Sequence, residues 1–391
     1  MVNTMAFNKN DSRSFLTEEH LLFKQSIREF LDNEAIPFYD QWEKEGKVPR
    51  SFWKKIGDNG FLCPWLDVEF GGVGADFGYS VVLAEELEMV GSALVGISIH
   101  SDVVAPYIAS FGTIDQKQRY LPKFISGEMI SAFAMTEPGM GSELANIQTT
   151  AIKKDGYYIV NGAKTFITNG FKADLLIVAC KTDLDAVPSN DGISLLLIDK
   201  DTPGLTRGRK LEKAGQNSSE TAELFFDDAS VPVGNILGEE GKGLSYIMQK
   251  LQQERLMCAI GSLMAAKDML HLTMNFIKGR KAFGKKINKF NNAQFTIAEI
   301  ATDIQLGRTF VDGLICKHMN GENIITEVSM AKYWITEMSK RISEKCMQLH
   351  DGYGNMGDYK IARRHRDIAV TTFYTGSDEI VKTLIAKNIG F

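Results

Sequence analysis

The sequence predicts an α+β protein of three parts: an N-terminal helical domain over residues 1–130, a middle antiparallel β-barrel over 131–241 and a C-terminal four-helix bundle over 242–391. Three observations carry this. Apolar residues recur at helical spacing before residue 130 and again after 242. Between them lie short β-branched and aromatic runs separated by Gly, Pro and Asn turns. The 391 residues, 44% hydrophobic and 24% charged, supply core for two or three domains.

In the first part, Thr17 caps a helix over Glu18–Asp32 whose Leu22, Phe23, Ile27, Phe30 and Leu31 share one face. Pro37 ends it. Ser51–Asn59 is a short amphipathic segment stopped by Gly60. GGVG at 71–74 lacks the preceding strand and the following Lys-Ser/Thr of a phosphate loop, so it reads as the turn before a helix over Tyr79–Met89. Another helix covers Asp115–Phe124, and Ser126-Gly127-Glu128 leads into the β-region.

Strands are expected at 149–153, 157–161, 175–180, 193–198 and 223–231, with turns at Asp155-Gly156, Asn161-Gly162, 188–192 and Pro203-Gly204. Two runs stand out. In FAMTEPGMGSELANIQ (133–148) a strand ends in Thr136, followed by a proline turn, two glycines and Ser142. Hydroxyls and bare backbone amides at a strand end suit a flat polar ring and a phosphate chain. In YYIVNGAKTFITNG (157–170) an arm closes with Phe166 two residues from the Thr168 hydroxyl.

After 242, one helical row runs Ile247, Leu251, Glu254, Cys258, Gly261, Ala265 and a second Val328, Ala331, Ile335, Met338, Ile342, Cys346, Leu349. Glu254 is the acid on an otherwise apolar stripe. An ionised carboxylate there costs several kcal/mol unless it is paired or lines a cavity. Arg255 points about 100° away and is a poor intrahelical partner. The residues alone leave open a structural ion pair and a functional acid.

A net charge of −5 argues against general nucleic-acid binding. Five scattered cysteines (63, 180, 258, 316, 346) show no metal or redox spacing and read as core residues of a reducing compartment. The first fifteen residues are polar, without an apolar signal core or Arg enrichment, and no apolar run approaches a membrane span, so the expected location is cytoplasmic. No metal site is expected.

The order and spacing of the two β-region runs resemble the flavin-binding domain of the acyl-CoA dehydrogenase family, and the resemblance extends over nearly the whole chain. TAELFF (221–226), RKAFGK (280–285), AKYW (331–334), MQLH (347–350) and Phe166, where many relatives carry Trp, resemble the long-chain branch. In most of the family the catalytic base is a Glu directly before Gly-Thr/Ser near the C-terminus. Here the matching stretch is YTGSDE (374–379), with Thr375 in that place. QQERL (252–256) resembles the helix on which the long-chain and isovaleryl-CoA dehydrogenase branch carries its base.

The resemblance therefore implies an acyl-CoA dehydrogenase-like fold and FAD-dependent α,β-dehydrogenation of an acyl thioester to the trans-2-enoyl product, in fatty acid metabolism. It implies Glu254 as the base, hydride transfer to flavin N5, and the Thr375 backbone N–H and a flavin ribityl hydroxyl as donors to the thioester oxygen. For the cofactor it implies Phe133, Met135, Thr136, Gly141, Ser142, Phe166 and Thr168 near the flavin, and Ser377 and Glu379 in contact with FAD. Arg280, Phe283, Gln348 and Gly352 would complete the FAD of a neighbouring subunit. For the substrate it implies Ser142, Arg255, Tyr374 and Gly376. It also implies a homo-oligomer, a dimer or a homotetramer, and an electron-transfer flavoprotein as partner. The thioester is carried by CoA or by an acyl carrier protein. A flavin oxidase or monooxygenase, and a non-enzymatic binding protein, are the alternatives on the same fold. Two residues depart from the family: Asp351 replaces the first Gly of a Gly-Gly pair, and Asn291 replaces a Gln at the adenosine end.

Overall fold

A computed structural model describes residues 13–141 and 143–391. The expectation for the start of the chain falls mostly on residues outside these, as does the whole of Ser142. The N-terminal part holds α1 (Glu18–Glu34), α2 (Tyr39–Glu45), α3 (Arg50–Asp58), α4 (Phe77–Val90), α5 (Val95–Ser98), α6 (Ala105–Phe111) and α7 (Ile114–Ile125). Thr17 and Thr113 each build a capping box, with His20 and Gln116 returning the bond, which sets where α1 and α7 begin. Ile27 and Leu31 of α1 are fully buried, worth about 1.5–3 kcal/mol each. Leu22 is 64% exposed, so it lies off the expected face of that helix.

The segment Ser92–Phe111 corrects one expectation. It runs through a 3-10 turn, α5, a π turn at Ile99–Val104 and α6, and it is long and apolar enough to cross a membrane by length and composition. In this fold most of it is packed inside, between β1 (Ser131–Ala134) and the first bundle helix.

The middle part adds β2 (Thr150–Lys154), β3 (Tyr157–Thr168), β4 (Leu175–Lys181), β5 (Ile193–Asp199), β6 (Leu205–Lys210) and β7 (Thr221–Pro232). They form one sheet in the order β1-β4-β2-β3-β7-β6, with β5 on the other edge of β4. Most pairs are antiparallel, but β1 runs parallel to β4, as does the single β2–β4 bridge, so the sheet is mixed and does not close. β1 and β6 carry no clear alternation, and the strand runs expected from the sequence do not include β6.

The C-terminal part contains α8 (Gly243–Gly279), the small hairpin β8 (Lys281–Ala282) and β9 (Lys285–Lys286), α9 (Asn291–Met319), α10 (Ile325–His350), α11 (Lys360–Ile368) and α12 (Asp378–Asn388). Three long helices and two short ones stand where four bundle helices were expected; α10 packs against all the others. Both predicted rows face the core, and Val328, Ile335, Met338 and Cys346 are fully buried. Four cysteines are buried and Cys316 is half-buried; all are free thiols.

Candidate active site

Glu254 projects from the middle of α8. Ile247, Leu251, Cys258 and Ala265 of the same stripe are buried, and Glu254 itself is 8% exposed. Its carboxylate accepts a 2.9 Å hydrogen bond from the hydroxyl of Tyr107 on α6. Burial pushes its pKa up to about 7, while Tyr107 and the Arg255 charge pull it back. A carboxyl at that value is half ionised near neutral pH, which suits a base that must take a proton and later give it up.

Arg255 points elsewhere, as its helical position requires. It is buried; Nη1 donates to the Ser329 hydroxyl at 2.9 Å and Nε to the Thr375 carbonyl at 3.2 Å. The loop before α12 is thus drawn onto α8. Lys332 of α10, fully buried, holds the same loop from behind. Its ammonium donates to the carbonyls of Thr372 (3.0 Å) and Gly376 (2.8 Å) and pairs with Asp378 at 2.7 Å. Thr375 sits at φ +57°, and its hydroxyl is buried without a hydrogen-bond partner among the described residues. Tyr374 and Gly376 flank it, both half-buried.

The strand end is pinned by a second buried ion pair. Lys164 of β3 donates to the Met135 carbonyl at 3.0 Å and to Glu137 at 2.8 Å. Glu137 also accepts the backbone N–H groups of Gln148 and Thr149, and Thr165 N–H donates to Thr136 O at 2.9 Å. Met135 and Thr136 are half-buried; Phe133 stacks on Tyr107 with ring centroids 4.9 Å apart. Beyond the strand end, Gly139 and Gly141 face open space: a Cβ at either would meet nothing within 4 Å.

The pairing of β3 with β7 is irregular between Lys164 and Ile167. Such a bulge re-aims a side chain, and Phe166, at φ +59°, stands 70% exposed beside half-buried Thr168. Asn169 anchors the arm's end by donating to Gly96 O at 2.8 Å and Ser131 O at 3.2 Å.

The remaining candidates form a separate group. Arg280 lies over the Tyr353 ring at 4.8 Å, next to exposed Gly352 and Gln348, and Phe283 at the tip of the β8–β9 hairpin is 97% exposed. From Glu254 to the end of α8 is roughly 38 Å of helix. One copy of the chain therefore does not bring this group to Glu254. Ser377 is the half-buried N-cap of α12, and Glu379 is exposed in its first turn. Of the nine non-glycine residues with positive φ among the described residues, three (Phe166, Phe283 and Thr375) are candidate positions and a fourth, Asp351, is a departure from the family pattern. Strained backbone concentrates at working sites.

Family models for the acyl-CoA dehydrogenase N-terminal, middle and C-terminal domains match residues 17–128, 132–229 and 241–390. The mitochondrial long-chain specific acyl-CoA dehydrogenase of Rattus norvegicus is 41% identical over 377 residues, 96% of this chain and 88% of that protein. The chain belongs to the acyl-CoA dehydrogenase family. As such it is an oxidoreductase, and its cofactor is FAD. The crystal structure of acyl-CoA dehydrogenase from Geobacillus kaustophilus is similar to this one at a TM-score of 0.96 and 60% identity, covering 96% of this chain and 99% of that one. A prolyl acyl carrier protein oxidase, AnaB, is also similar in structure, at a TM-score of 0.90 and 27% identity over 96% of this chain and 100% of that one.

Tyr107, Lys332, Lys164 and Asn169 escaped the sequence reading. Only Asn169 carried a local signal, an Asn-Gly turn. The others act across 27 to 147 residues of chain, and neither buried lysine differs in sequence from a surface one.

Proposed function

We propose that this family member dehydrogenates acyl-CoA thioesters between Cα and Cβ, with Glu254 as the base. The observation that carries this is the placement of Glu254: a dry carboxyl titrating near 7, on a core stripe, in a chain whose residue 375 is not an acid. The Cα–H bond breaks toward a Glu254 oxygen, and its electron pair spreads onto the thioester carbonyl. Charge developing on that oxygen needs a fixed donor. The Thr375 backbone N–H is suited to this, because Arg255 and Lys332 fix the chain on both sides of it.

The residues present fit FAD. An open glycine turn follows a pinned strand end, and an exposed aromatic stands two residues from a hydroxyl. When bound, FAD supplies the hydride acceptor. Phe133, Met135 and Thr136 would border its ring, Phe166 and Thr168 would cover and hydrogen-bond it, and Gly141 would leave room for its phosphates. Exposed Phe283 and the Arg280–Tyr353 pair, far from Glu254 within one copy, support completion of the cofactor by a second copy in a dimer or tetramer. An electron-transfer flavoprotein as acceptor, a role in fatty acid metabolism and a cytoplasmic location belong to the same proposal.

The test is anaerobic mixing of holoenzyme with a panel of acyl-CoAs while flavin absorbance is followed. The parent should bleach with at least one chain length, and Glu254→Gln should slow bleaching by about 10²–10⁴-fold. Bleaching by the variant at the parental rate would remove Glu254 from the role. The likeness to an acyl carrier protein oxidase supports a second reading, a carrier-tethered substrate. In that case free acyl-CoA leaves the flavin oxidised and the same acyl group on its carrier protein bleaches it.

A further inference from the structure

With Glu254 as the base, we infer that Tyr107 is its positioning residue: its hydroxyl holds the carboxylate in one rotamer and keeps it ionised at the pH of turnover. Tyr107 is fully buried, so its hydroxyl has no bulk water to turn to, and its 2.9 Å bond to Glu254 is the partner it has. Its ring stacks on Phe133 of β1, at 4.9 Å and 28°, and meets Phe111 of its own helix edge-on, at 6.2 Å and 60°. The hydroxyl is therefore aimed by the packing of its ring. The register between the two segments is fixed independently one residue earlier on α8, where the Gln253 amide donates to the Asp102 carbonyl and its oxygen lies 3.3 Å from the His318 ring.

The direction of the effect follows from what faces the carboxyl. Tyr107 comes from α6 and Arg255 from α8 itself. The charges on α10 and α12 nearest the loop, Lys332 and Asp378, are paired with each other. A hydrogen bond that favours the charged form lowers a carboxyl pKa against the burial that raises it. Without the hydroxyl, Glu254 would stay protonated to higher pH and lose its fixed orientation.

The test is Tyr107→Phe in the holoenzyme, which keeps the ring and its stack. Glu254 protonation is read without turnover, from the infrared carboxyl band that Glu254→Gln abolishes, titrated in parent and variant. We expect the midpoint to rise by about one pH unit. The acid limb of the flavin-reduction rate should move with it and kcat should fall, with KM little changed and the melting temperature near the parental value. A midpoint unchanged or lowered in Tyr107→Phe overturns the inference. If Glu254→Gln instead reduces flavin at the parental rate, the base assignment fails, while the infrared shift still reports on the Tyr107–Glu254 bond.

Discussion

The guanidinium of Arg255 ties the Thr375 carbonyl to the Ser329 hydroxyl, so the residue next to Glu254 on α8 sets the path of the loop before α12. Arg255→Gln should destabilise the protein by about 1–3 kcal/mol through buried acceptors left unpaired. It should also lower kcat by roughly 10²-fold, as loss of an oriented oxyanion donor does. Arg255→Lys keeps the charge beside Glu254 and loses the two-pronged grip. It should preserve the acid limb of the pH–rate profile and still lose rate. Steady-state kinetics across pH on both variants separate the two effects.

Asp102, in the π turn, is 1% exposed and forms no ion pair among the described residues. Burial pushes its pKa up to about 7, offset only in part by Ser80. The folded state therefore holds a proton that the unfolded chain releases near pH 4. Protons bound in excess by the native state make stability fall as pH rises, here from about 4 through 7. The stability gain of Asp102→Asn over the parent should therefore be small at pH 5 and larger at pH 8. Urea melts at the two pH values check this; an Asn gain that is equal at both would refute it.

Asp351 closes α10 at φ +53° and ψ −141°, a region that glycine enters freely and other residues avoid. Such a conformation costs on the order of 1–3 kcal/mol. Asp351→Gly should recover part of that in a thermal melt. It also removes a negative charge beside Gly352, so FAD titrated into stripped protein should bind more tightly. An unchanged or lower melting temperature would count against the strain.

What could be read in the sequence was what is local. Thr17 announces its helix, Gly60 ends another, and the β-branched runs of β4 and β5 lie within a residue of where they were expected. Glu254 was legible because a carboxylate on an apolar stripe is anomalous by itself. β6, LTRGRK, was not, since it has no alternation and is held by its pairing with β7. The parallel β1–β4 pairing was hidden for a related reason, because register between strands over 40 residues apart leaves no trace in either one. The stretch from Ser92 to Phe111 was given no structure, and so the donor it sends to Glu254 was missed.

The clamp on the last loop separates what its main chain does from what its side chains do. Lys332 and Arg255 grip carbonyl oxygens of residues 372, 375 and 376, contacts that do not depend on the side chain at 375. On the proposed reading, with the acid on a rigid helix, what the loop must supply at residue 375 is the course of its main chain.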